Sequence, residues 1–215
     1  MRGRYGRRMP HRNRVTPTGE IVATPHRGTL MGNRGVLHDA AGAIRRDFQL
    51  RRWIACRLEF KGRHREILRP GRYTELFFMD EATALAAGHR PCAECRRADY
   101  RRWQEAYSRA HPGEPANADA MDVRLHADRL TADRRKRTFT APAGGLPTGA
   151  MVSLDGAPWL VHGGELRRWG PGGYGEAKAV DPAGSVVVLT PRATVATIRA
   201  GYEPAVHATA VHAVA

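Results

Sequence analysis

Lysine is nearly missing from this chain: among 215 residues there are only Lys61, Lys136 and Lys178. Cysteine occurs three times, and aromatic residues make up 7%. Three cysteines, an odd number, do not make the disulfide framework of a small secreted scaffold. No apolar run approaches the ~18 residues needed to span a bilayer. The arginine-rich start, MRGRYGRRMPHRNR, is followed by no apolar segment of the kind that makes a secretory signal. A cytoplasmic protein is the expectation, with no membrane partner. No GxSxG is present to suggest a serine nucleophile, and the glycine-rich stretch Arg27 to Gly35 does not match the phosphate-binding P-loop pattern. That stretch reads instead as a turn-rich connection.

What the chain has is arginine. Lys+Arg total 35 against 21 Asp+Glu, a net charge of +14 that favours polyanionic partners. A compositional bias toward arginine would raise the total by itself, so clustering is the better guide. Six of the first fourteen residues are arginine, and Arg134, Arg135, Lys136 and Arg137 form a second block. Arg96, Arg97, Arg101 and Arg102 form a third, and on a helix starting near Arg96 the last three share roughly one face. Tyr100 and Trp103 lie beside that stripe, for packing or base stacking. These positions predict phosphate contacts, and nucleic acid is the partner they suggest, DNA ahead of RNA.

Two of the three cysteines stand two residues apart in DEATALAAGHRPCAECRR, residues 80–97. Asp80 is a good N-cap, Glu81 to Ala87 favours helix, and Gly88 sits where a left-handed residue ends one. Pro91 then keeps the helix from resuming, so Cys92 to Cys95 forms a tight knuckle. Two thiolates at that spacing can face one metal ion, the half-site of a structural zinc. A redox dithiol normally opens a helix after a strand, which is not the order here. Cys56 lies in RRWIACRLEFK, where Ile54, Cys56, Leu58 and Phe60 alternate with Ala55, Arg57, Glu59 and Lys61 and predict a half-buried strand with Cys56 inward. Cys56 is then either a buried free thiol or the third zinc ligand. A histidine completes the set: His38 is preferred, His64 is the alternative, and His89 ranks behind both.

The segment TELFFMDEATALAAGHRPCAECRR resembles the second half of the Ada-type zinc-binding domain of the adaptive-response DNA repair proteins, over about residues 73–97. An aromatic strand, a helix ending Ala-Ala-Gly and an Arg-Pro-Cys-x-x-Cys-Arg knuckle follow in the same order. The resemblance implies metal binding at Cys92 and Cys95 and contact with nucleic acid. The family's other cysteines lie close together in one loop, whereas here Cys56 stands alone well upstream. The phosphotriester methyl transfer of that family is therefore not implied.

The whole reads as an α+β protein. Residues 1–14 are a disordered arginine-rich terminus, and 15–112 form a zinc-stabilised module. Within it, a strand at Glu20 to Thr24 precedes strands at 51–61 and 72–79, which pair as a hairpin through Pro70-Gly71, and a helix runs from Arg96 to Ala110. Residues 113–140 link helically, with Ala118 to Leu130 helical and Met121, Leu125 and Val123 inward. Residues 141–205 are a small β-rich unit with hairpins at Asp155-Gly156 and Gly163-Gly164, and a strand at Ser185 to Leu189. A terminal helix follows, with Thr190 as N-cap, Pro191 as first residue and Gly201 closing it. Residues 206–215 are a tail. The only acid–histidine cluster is Asp122 and His126, with Asp128, where a carboxylate one turn away orients an imidazole. A metal-dependent nuclease or repair enzyme is thus the alternative to a binding protein, and a zinc-stapled protein-interaction module is a third reading.

Overall fold

A computed structural model describes residues 9–62 and 66–211. The fold is α+β, with two six-stranded sheets and four α-helices among the described residues. Strand β1 (Arg12–Val15) pairs antiparallel with β2 (Ile21–Ala23). Asn13 and Val15 are buried, so residues 12–14 belong to the sheet and not to a disordered terminus; residues 1–8 lie outside the described chain.

The next strand, β3 (Leu30–Asn33), falls in the stretch read from sequence as a turn-rich connection. Its glycines are there for space. A Cβ on Gly32 would sit 2.2 Å from the Ile54 carbonyl oxygen, and one on Gly28 would sit 2.2 Å from that of Phe78. β3 runs antiparallel to both β4 (Ile54–Arg57) and β5 (Leu76–Phe78) and lies between them. The expected β4–β5 hairpin does not form. β4 is also shorter than expected: Leu58 is 49% exposed and has left the sheet.

Helix α1 (Glu81–Ala86) begins as predicted. Asp80 Oδ1 accepts from Thr83 N at 2.8 Å, and Gly88 takes φ +93° just beyond the helix. Strand β6 (Arg90–Pro91) then adds parallel to β4 and completes the order β2-β1-β5-β3-β4-β6. Helices α2 (Arg97–Ala110) and α3 (Ala118–Arg129) follow. Met121 and Leu125 face inward as expected, whereas Val123 is 54% exposed.

The second sheet is antiparallel throughout. It comprises β7 (Phe139–Pro142), β8 (Met151–Leu154), β9 (Ala157–His162), β10 (Glu165–Gly170), β11 (Gly173–Ala179) and β12 (Ser185–Val188), in the order β11-β10-β9-β8-β12-β7. Both predicted hairpins are present, at Gly156 and at Gly163-Gly164, all three glycines having positive φ. Helix α4 (Arg192–Arg199) has Pro191 as its cap, not Thr190. The Thr190 hydroxyl instead accepts from Met151 N at 2.8 Å, and Asp128 of α3 accepts from Ala193 N at 2.7 Å.

Every residue of α1 is buried, which follows from its position between the layers. Ala84 and Ala87 pack on the first sheet with Leu76 and Phe78. Leu85 meets Trp103 of α2, Met121 of α3 and Ile198 of α4. Met79, Ala82 and Ala86 meet Met151, Leu160 and Tyr174 of the second sheet. Apolar clusters therefore run across the linking stretch at 113–140. The terminal stretch, unread from sequence, docks on the same helix: Ala205 N donates to Glu81 Oε2 at 3.0 Å and His207 N to Asp80 Oδ2 at 3.0 Å. Among the described residues, no helix is long and apolar enough to cross a membrane.

Candidate metal centre

Three elements bring the cysteines together. β4 presents Ala55 to the core and Cys56 to the opposite face, beside Met31 on β3. β6 lies against β4, with Cys92 N donating to the Ala55 carbonyl at 3.0 Å. The chain then turns tightly, Arg96 N returning to Cys92 O at 3.1 Å, and Cys95 faces the same point. The ligand atoms of Cys56, Cys92 and Cys95 lie within 4.8 Å of one another, and all three residues are buried. Sulfurs bound at about 2.3 Å around one tetrahedral zinc stand roughly 3.8 Å apart, so the cluster is of the right size and chemistry for a metal ion. Arg57 N donates to Cys95 Sγ at 3.4 Å, which lowers the Cys95 pKa, but the bond to Cys92 and burial leave it raised overall.

The cluster does not ionise evenly. Hydrogen bonds from the Cys56 and Cys95 thiols, aided by the backbone N–H groups of Cys95 and Glu94, hold the Cys92 thiol far below its ordinary pKa despite burial. The Cys56 thiol is pushed far up, chiefly by its bond to Cys92. Burial and the neighbouring sulfurs therefore oppose a second negative charge in the cluster, which a cation would offset. A cavity of about 210 Å³ opens beside the sulfurs, bordered by Met31, Asn33, Ile54 and Phe60.

No protein-family model, curated protein or solved structure matches this chain.

The histidines expected to complete the set lie elsewhere or outside the described residues. His38 is not brought to the thiols: Nε2 faces the Arg69 carbonyl at 3.3 Å and Nδ1 the Thr74 hydroxyl at 2.6 Å. His38 is buried beside Leu37, with its ring turned toward Thr74. His89 is packed against Phe78 and Trp53, with Arg34 Nε donating to its Nε2 at 3.3 Å. His64 lies outside the described residues. The acid–histidine pair also separates. Asp122 takes both oxygens to Arg90, at 2.9 and 2.8 Å, in a buried bidentate ion pair. His126 instead sets Nδ1 2.9 Å from an Arg129 nitrogen, and burial beside Arg129, Arg51 and Arg134 lowers its pKa to about 4.

The basic residues divide similarly. Arg96 is 5% exposed and committed to Glu81 and Asp99, both at 2.8 Å, so it is an internal tie. Trp103 is fully buried against Tyr202. Arg97, Arg101 and Arg102 are exposed on α2, with Arg102 paired to Asp99 at 2.6 Å. The block at 134–137 is a tight turn, Thr131 N returning to Arg135 O at 2.9 Å and Arg134 adopting φ +64°. That turn aims Lys136 back at the Ala86 carbonyl of α1 and leaves Arg134, Arg135 and Arg137 exposed.

Proposed function

We propose that Cys56, Cys92 and Cys95 hold a zinc ion that pins β4 to the knuckle, and that the protein binds nucleic acid, DNA in preference to RNA, through arginines outside that centre. The observation that carries the zinc reading is the convergence of three buried thiols from two distant segments within 4.8 Å. Bound there, the ion supplies positive charge that lets three thiolates coexist, and it crosslinks segments that the sheet alone joins weakly. The nucleic-acid reading is supported by the net charge of +14 and by exposed Arg97, Arg101, Arg134, Arg135 and Arg137. The resemblance of residues 73–97 to the Ada-type domain adds to both.

A second reading, a metal-dependent hydrolase, is favoured by one observation: among the described residues three donors converge, not four. Closed sites have four protein ligands, whereas catalytic ones keep a position open. Elemental analysis of wild type and of Cys56→Ser, Cys92→Ser, His38→Ala and His64→Ala decides between these. One zinc per chain, lost with either cysteine and with His64→Ala, supports a closed structural centre. Retention in both histidine variants supports an open one. Absence of metal from the wild type overturns both readings. For nucleic acid, affinity for a DNA duplex should fall steeply with salt and weaken further in Arg97→Glu/Arg101→Glu. Salt-independent or undetectable binding rejects that part.

A further inference from the structure

A second cavity, of about 320 Å³, opens where the turn at 131–135 meets the first sheet, apart from the thiols. That volume falls in the ~300–1,000 Å³ range of ligand pockets, yet its lining is dominated by cations. Arg34 and Arg129, each 1% exposed, both hold their guanidinium groups over the indole of Trp53, at 4.0 and 4.1 Å. Lys136, Arg134 and Arg135 come from the turn, with Arg134 over Phe48 at 4.5 Å. Against these five stand two carboxylates in the lining, Glu20 and Asp47, and that of Asp133, which pairs with Arg135 in the same turn.

The three inner cations are held by neutral groups. Arg34 Nη1 donates to the carbonyls of Gly19 and Asp47, at 3.0 and 3.4 Å. Arg129 Nη1 donates to the Gly88 carbonyl at 2.8 Å and Nη2 to that of Arg51, and Lys136 Nζ donates to that of Ala86. Gly88 allows this approach, because a Cβ there would meet Arg129 Cδ at 2.6 Å. Among the described residues none of the three has a carboxylate within ion-pair distance, and Arg34 Nη2 is buried with no partner. Clustered like charges cost stability, and a multiply charged anion in the cavity offsets that cost. Burial with Arg34 and Arg129 beside it already lowers Lys136 to about 7.

We propose that this pocket binds a phosphate group, with Lys136 and Arg134 as its donors and the buried guanidinium groups of Arg34 and Arg129 supplying positive charge behind them. A guanidinium fork matches phosphate oxygens, and a dianion offsets the surplus of cations better than a monoanion. The group belongs either to a free phosphate or small phosphate ester, or to the terminal phosphate of a nucleic-acid strand. The site stands whether or not the protein binds duplex DNA.

The test is calorimetric titration of the full chain with inorganic phosphate, and with a short single-stranded oligonucleotide bearing either a 5′-phosphate or a 5′-hydroxyl. Lys136→Met is the informative variant, because Lys136 is half-buried and outside the Trp53 stack. Binding of phosphate that weakens about tenfold or more in Lys136→Met, the loss expected for one charge-assisted hydrogen bond, supports the site and a small ligand. A preference for the 5′-phosphate strand that disappears in the same variant supports the site and a strand terminus. Failure of the wild type to bind either, or equal binding by Lys136→Met, overturns the proposal. Arg97→Glu/Arg101→Glu, which weakens duplex binding if that reading holds, should leave phosphate titrations unchanged.

Discussion

Burial of charge at single residues sets most of what can be measured first. Arg90 and Asp122 neutralise each other in the interior, so Asp122→Ala strands a buried guanidinium two residues before Cys92. We expect a loss of ~3–5 kcal/mol in chemical denaturation, largely recovered in Arg90→Met/Asp122→Leu, where both charges go. His126 has its pKa lowered to about 4 by burial and by Arg129. In the unfolded chain it titrates near its ordinary value, about 6.5. Between those values the unfolded state binds more protons, so stability rises with pH across that window and is lost on acidification toward 4. The difference in denaturation midpoint between pH 4.5 and pH 7 should therefore be larger in wild type than in His126→Gln; equal differences would remove His126 as the cause. Zinc capture at neutral pH should release protons, because thiols must ionise to become ligands; a pH-indicator titration detects them.

Elements were legible where local chemistry decided them. Asp80, the helix-forming run after it, Gly88 and Pro91 specify α1 and the knuckle through caps and backbone restriction, and these act within a few residues. The hairpins at Gly156 and Gly163-Gly164 were legible for the same reason. β3 was hidden, because Gly28 and Gly32 signal a turn locally but serve here as clearance for neighbouring strands. No sequence spacing announces that a carbonyl from Ile54 will lie against Gly32. The alternation grouped Cys56 with Ile54 and Phe60, as found, but on the face opposite the core, which Ala55 takes, so its partnership with Cys92 was legible only in part. The fourth-ligand choice of His38 failed because Thr74 and Arg69, which engage its ring, come from thirty or more residues away. Gly32→Ala should expose this dependence. Its Cβ would press on backbone, so β3 and β4 must part, and Cys56 moves with β4. Both the thermal midpoint and zinc content should fall, whereas Gly156→Ala, with open space around its Cβ, should keep full metal content.

Across the whole molecule, α1 is the shared member of three apolar clusters. The stretch 15–112 and the strand-rich stretch after 140 read as separate units because each carries its own sheet pattern. Their joint burial of six consecutive residues, including Glu81 and Thr83, depends on contacts over more than sixty positions of sequence. A single cooperative unfolding transition is expected, with tryptophan fluorescence and far-UV circular dichroism coinciding. Chelation should lower that one transition without splitting it; two resolved transitions would show that the halves melt apart. The carboxylates at the start of α1 carry a consequence for the order of synthesis. Asp80 and Glu81 accept from Tyr174, Tyr202, Ala205 and His207, all of which leave the ribosome long after them. Cys56, Cys92 and Cys95 emerge early. A nascent chain thus holds its complete set of thiols while the helix between them still lacks most of its polar partners, and metal can be captured before the fold is able to close around it.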